Sequence, residues 1–195
     1  MSADEIAYPL PAEPLPIRLM NTIWADRDGR HDDLDAPQGL GEWLRRSGFT
    51  IGSTVDSEDL HAFRRLRDAL RRIAAHVTDD QRPAAASATE DLDTAIADLN
   101  SVAVARTPLL VRRGTDLALD WTTSAHGAEH VLSLLGLAAA HLFTEDAVTL
   151  RACHGRGCVL YFSKDHPRRG WCSPGCSNRA RAARHYQRHR STKPE

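Results

Sequence analysis

Apolar residues recur at three- and four-residue steps along residues 57–77, at Leu60, Phe63, Leu66, Leu70, Ile73 and Val77. That period predicts one amphipathic helix, with charged residues filling its other face. Asp35 and Pro37 suit the start of a shorter helix carrying Leu40, Trp43 and Leu44, and Gly48 suits the position just past its end. Thr89 suits the cap of a third helix, with Leu92, Ile96 and Leu99 on one side. The period then changes. In "TPLLVRRGTDLALDWT", Leu117, Leu119 and Trp121 alternate with Ala118 and Asp120. Gly114 lies between the two runs, so a β-hairpin is expected. Residues 123–143 are apolar enough for a buried helix. "PIRLMNTIW" predicts a short buried helix or strand, and the polar "ADRDGRHDDLD" and "TDDQRPAAASA" predict loops.

The fold class expected is α+β. A mainly helical front domain over residues 17–146 carries one small hairpin, and a second, different segment follows over residues 150–190. Residues 1–16 are a Pro-rich, extended lead-in, and residues 191–195 are a short tail. The second segment has little aliphatic content and holds all four cysteines. About 45 residues rarely fold without a staple.

Charge divides at the same place. Residues 151–195 hold 11 Arg and Lys against 2 Asp and Glu, a net of +9, whereas residues 1–150 hold 14 against 24, a net of −10. An acidic body with a basic tail points to a polyanionic partner for the tail; docking of the tail on its own acidic body is the alternative. The longest apolar stretch, "VLSLLGLAAAHLF", is too short to cross a bilayer, and the first residues lack the basic and apolar regions of a signal peptide. A cytoplasmic protein with no membrane partner is expected.

Cys153, Cys158, Cys172 and Cys176 stand as C-x4-C-x13-C-x3-C. Two close pairs across a short loop suit four thiolates around one structural zinc. "CHGRGC" has two glycines that let the backbone fold back as a knuckle. "VLYFS" reads as a strand leaving it, and Ser173 and Pro174 suit the cap and first residue of a helix. A knuckle followed by a helix start is a treble-clef arrangement. The absence of an export signal argues against disulfides, but spacing does not separate a structural zinc from a redox-switched one. His154, His166 and His185 are spare ligands. Four cysteine ligands leave no open position for a catalytic water.

A helix from residue 174 to about 190 places Arg181, Arg184 and Arg188 within an arc of about 60°. Cys176, Arg179, Ala183 and Tyr186 fall on roughly the opposite side. The planar guanidinium makes paired hydrogen bonds to phosphate and to guanine, so this stripe is the expected nucleic-acid contact, with Arg168 and Arg169 adding charge nearby. Arg179 faces the zinc side and is expected to brace the finger.

These residues resemble the CGNR zinc finger. The matching stretch is "RACHGRGCVLYFSKDHPRRGWCSPGCSNRARAARHYQRHR". All four cysteines match, as do Trp171, Asn178 and Arg179, which the resemblance implies support the finger. Ser177 stands where the family has Gly, and Gly170 separates Arg169 from Trp171. The front, with "LMNTIW" and "GLGEWLRRSG", resembles the ABATE domain that usually precedes this finger. The pair implies a bacterial, stress-linked transcription regulator with one zinc and double-stranded DNA as partner. The front domain would sense a small-molecule effector or mediate a homodimer. A zinc-stabilised module for RNA or protein is the alternative function.

"HGAEH" matches the H-x-x-E-H pattern of some zinc proteases, with His126 and His130 as ligands, Glu129 as base and His141 nearby. A short motif without its structural context carries little, and no nucleophile elbow or phosphate loop is present. A non-enzyme is expected, with a metallohydrolase as the weakest alternative.

Overall fold

A computed structural model describes residues 10–102 and 107–190, with the side chains of residues 84 and 187–190 outside the description. The chain begins with α1 (Leu15–Met20), β1 (Ile23–Ala25), β2 (Arg30–Asp32), α2 (Pro37–Arg46), α3 (Ser57–Val77) and α4 (Leu92–Ser101). It continues with β3 (Thr107–Arg113), β4 (Asp116–Thr122), α5 (Gly127–Thr144), β5 (Leu150–Ala152), β6 (Tyr161–Ser163) and α6 (Pro174–Arg190). Among the described residues, the strands form three separate antiparallel pairs, β1–β2, β3–β4 and β5–β6. This is the α+β class that the periodicities predict. Among the described residues, no helix is long and apolar enough to cross a membrane.

Helix α3 is the axis of the front part. Asp56 caps it, accepting from the amides of Glu58 and Asp59, while the Asp59 side chain accepts from the Asp56 amide. This capping box satisfies amides that a helix start leaves without partners. Leu60, Phe63, Leu66, Leu70 and Ile73 are buried against α1, α2, α4 and α5. Trp43 of α2 meets Phe63 edge to face at 6.0 Å. Gly48, at φ +87°, ends α2 as expected.

Several expectations differ from the structure. The polar stretch after Trp24 is a hairpin, because the Asp26 carboxylate accepts from the amides of Asp28 and Gly29 and closes a tight turn between β1 and β2. Asp91 caps α4 in place of Thr89, accepting from the Thr94 amide at 2.7 Å. Helix α5 starts four residues late, at Gly127. Arg67 and Arg71 of α3 sit inside, although charged residues were expected to face out.

The core does not stop at the end of α5. Leu150, Ala152 and Tyr161 belong to the same buried cluster as Ile17, Met20, Leu70 and Leu135. The strand pair β5–β6 is therefore packed on the front domain, and it carries the cysteine knuckle with it.

Candidate metal centre and nucleic-acid interface

All four cysteines are buried and free of disulfides, and their sulfurs lie within 4.8 Å of one another. Cys172 Sγ is 3.7 Å from Cys158 Sγ and 3.4 Å from Cys176 Sγ. A tetrahedron with metal–sulfur bonds of about 2.3 Å has edges of about 3.8 Å, so the cluster has the size zinc requires. Thiols alone are a poor reason for such crowding. Hydrogen bonds from Cys158 and Cys172 hold the Cys153 thiol well below its usual range, and the bond to Cys153 pushes both Cys158 and Cys172 up. Four thiolates share this volume only around a cation. The centre is one structural zinc site with all four positions taken by sulfur.

Local sequence builds it. Gly157, at φ +73°, takes the left-handed turn of the knuckle. A Cβ on Gly155 would meet Cys176 Cβ and Sγ at 3.0 Å, so any side chain there would force Cys176 to give by a few tenths of an ångström. Pro174 opens α6, and Ser173 Oγ accepts from the Cys176 amide at 3.3 Å. Arg179 donates to Cys176 Sγ at 2.9 Å, the bracing position expected of it. Trp171 packs on the cysteine cluster, joined by Trp24 from β1. Asn178 was expected to brace the finger. It is exposed, with no side-chain hydrogen bond to another described residue.

The front domain clamps the module at three points that the sequence did not signal. Asn21 acts as a strand partner: its amide donates to Tyr161 O at 2.9 Å and accepts from Tyr161 N at 3.0 Å. Arg82 donates to the carbonyls of Cys153 and Cys158, the latter at 2.7 Å, and pairs with Asp80 at 2.7 Å. Tyr161 Oη donates to the same carboxylate at 2.9 Å. Arg71, fully buried, donates to Met20 O, Ala85 O and Val159 O. Their partners on the knuckle and its strands, at Cys153, Cys158, Val159 and Tyr161, lie about 70 to 140 residues away, which a local pattern does not reveal.

Burial would raise the Asp80 carboxyl, but hydrogen bonds from Arg82 outweigh it and hold the group below its ordinary range. A depressed carboxylate contributes stability above its unfolded pKa of about 3.9 and loses it as pH falls through the folded value. Arg82→Ala is expected to cost about 2 kcal/mol at pH 7, to cost less below pH 4, and to speed zinc loss to a chelator. Urea titration at the two pH values checks it; equal losses at both would show that the pair has no role.

Among the expected nucleic-acid residues, Arg181 and Arg184 are exposed on α6, and Arg184 Nε donates only to Ala180 O, at 3.4 Å. Arg168 is exposed in the preceding loop. Among the described residues, Arg168, Arg181 and Arg184 form no ion pair with the acidic front domain, whereas Arg169 of the same segment does. The Arg188 side chain lies outside the described residues. Arg169 points the other way. It pairs with Glu13 at 2.5 Å, donates to Ser163 O at 2.9 Å and lies 5.1 Å above the Phe162 ring, so it ties the loop inward. Tyr186, expected as packing, is 71% exposed because α6 runs out past the finger. It borders a cleft of about 420 Å³ between α6 and the β1–β2 turn, whose rim carries Arg27, Arg156 and Arg179. Among the described residues the four cysteines are the one group of at least three side chains gathered for a metal, and His126, Glu129, His130 and His141 join none. His141 instead pairs with Glu145 at 3.3 Å.

A helical domain sharing its core with a four-cysteine treble clef defines a zinc-finger protein. The chain belongs to the ABATE family, described as "Putative stress-induced transcription regulator", whose pattern matches residues 13–146. Residues 149–189 match the CGNR zinc finger. Comparison with curated proteins gives no match.

Proposed function

We propose that this chain is a cytoplasmic transcription regulator that lays α6 on duplex DNA, with residues 17–146 as its regulatory part and residues 150–190 as the reader. The observation that carries the reading is the exposed arginine face of α6. The helix holds no acidic residue over 174–190, and zinc at its root fixes its direction. A helix whose Arg181 and Arg184 meet no carboxylate among the described residues suits a groove lined by phosphates. Arg181, Arg184 and Arg188 form the stripe, and Arg168 lies beside it. Arg156, across the cleft, adds to the basic surface. Arg169 is left out because its guanidinium is spent on Glu13. The family description supports the regulatory role.

The test is binding of zinc-loaded protein to a random duplex pool over a range of salt. Each phosphate contact contributes about 0.9 to the slope of log affinity against log salt. Arg184→Ala with Arg188→Ala should weaken binding at least about tenfold and lower that slope by about 2. Unchanged affinity in the double variant, or preference for RNA over duplex, would sink the reading.

A further inference from the structure

The β3–β4 hairpin is an interface without its partner. Its register pairs Pro108 with Trp121, Leu110 with Leu119 and Arg112 with Leu117, so these six share one face. On that face Leu110 is 74% exposed, Leu117 69%, Leu119 62% and Trp121 42%. The two strands pack chiefly on each other. A lone two-stranded hairpin is marginal in water, and leucines this open cost free energy in a free monomer.

The two edges differ. A two-residue turn at Gly114 and Thr115 makes Arg113 and Asp116 the closing hydrogen-bonded pair. Counting back in alternation, Leu117, Leu119 and Trp121 turn their N–H and C=O groups outward on β4. On β3 the same positions include Pro108, which has no N–H to offer, so that edge is blocked. The β4 edge carries no proline; Leu117 and Leu119 present it, and the Trp121 amide donates to its neighbour Asp120 Oδ1 at 2.9 Å, a local bond that strand pairing would replace.

We propose that β4 pairs antiparallel with β4 of a second copy of this chain, about a two-fold axis at Leu119. The pairing makes a four-stranded sheet on which the Leu117, Leu119 and Trp121 side chains of the two copies pack against one another across the new strand pair. The charge pattern selects a second copy. The hairpin carries Arg112 and Arg113 against Asp116 and Asp120, so it is neutral within residues 1–150, whose net is −10, and offers nothing to a polyanion. In the two-fold register Leu117 meets the partner's Trp121, and Leu119 meets the partner's Leu119. Asp120 faces the partner's Ala118, and Asp116 faces the partner's Thr122. No like charges stand opposite each other. Symmetric closure also uses up the open edge, so the assembly stops at two.

Sedimentation of the zinc-loaded full chain at micromolar concentration, without nucleic acid, tests this independently of the DNA reading. The wild type should sediment at twice 21.5 kDa. Leu119→Arg should sediment as a monomer with unchanged zinc content and helicity. As a second readout, hydrogen-bonded strand partners have Cα atoms about 5.5 Å apart, within disulfide reach. Leu119→Cys should therefore cross-link into a dimer under mild oxidation, whereas Val148→Cys, equally open but away from the hairpin, should not. A monomeric wild type, a Leu119→Arg dimer, or equal cross-linking of the two cysteine variants would overturn the proposal.

Discussion

Cys172→Ser should release the zinc and unfold far more than the finger. One hard oxygen replaces a thiolate in a closed tetrahedral set, and structural zinc contributes about 10–16 kcal/mol of apparent binding free energy to small modules at neutral pH. That is comparable to the whole stability of an ordinary domain, about 5–15 kcal/mol. The damage should spread, because Leu150, Ala152 and Tyr161 lie in the core of the front domain, and Asn21, Arg71 and Arg82 spend their hydrogen bonds on the knuckle strands. The wild type should melt in one transition. Cys172→Ser, or wild type held with a strong chelator, should show less than a tenth of an equivalent of zinc and a broad, earlier melt. Metal analysis and thermal circular dichroism decide it. A full zinc equivalent in the variant, or two separated transitions in the wild type, would show that the halves are uncoupled.

Arg71→Met should cost about 3–5 kcal/mol, although methionine fills much the same volume. The Arg71 guanidinium has no carboxylate partner; it is held by Met20 O and Ala85 O, each at 3.0 Å, and by Val159 O at 3.3 Å, beside the Tyr161 ring at 5.4 Å. Burial lowers its pKa to about 10, so it stays charged at neutral pH. Methionine would leave three carbonyls without a donor where water does not reach. Arg71→Lys should recover part of the loss, since one ammonium does not span carbonyls on three segments. Urea denaturation checks both. A loss below about 1 kcal/mol for Arg71→Met would mean that packing, not the guanidinium fork, joins these segments.

The two cases mark how far the sequence is legible. The cysteine quartet, the Ser173–Pro174 helix start, helix α3 to its last residue and the Gly114 hairpin all follow from spacing, period and turn chemistry. Each depends on neighbours within a few residues or on one recognisable ligand set. Arg169 shows the limit from the other side. It stands beside Arg168 in a basic loop, and its buried carboxylate partner is a glutamate 156 residues earlier. Arg71 likewise sits among the many arginines of α3, and its local period does not distinguish it from Arg72, which faces out.

What the sequence determined by itself is therefore helices α2 to α6, the Gly114 hairpin and the zinc ligands, because backbone propensity and tetrahedral thiolate chemistry act locally. Tertiary structure alone decided that the finger shares the front domain's core, that Asn21, Arg71 and Arg82 hold it there, and that the β3–β4 face is left open. Those outcomes depend on which surfaces meet across about a hundred residues of chain. Burial then decides whether a charge is a solvated surface group or a bolt between two halves, through the cost of leaving a polar atom unpaired away from water.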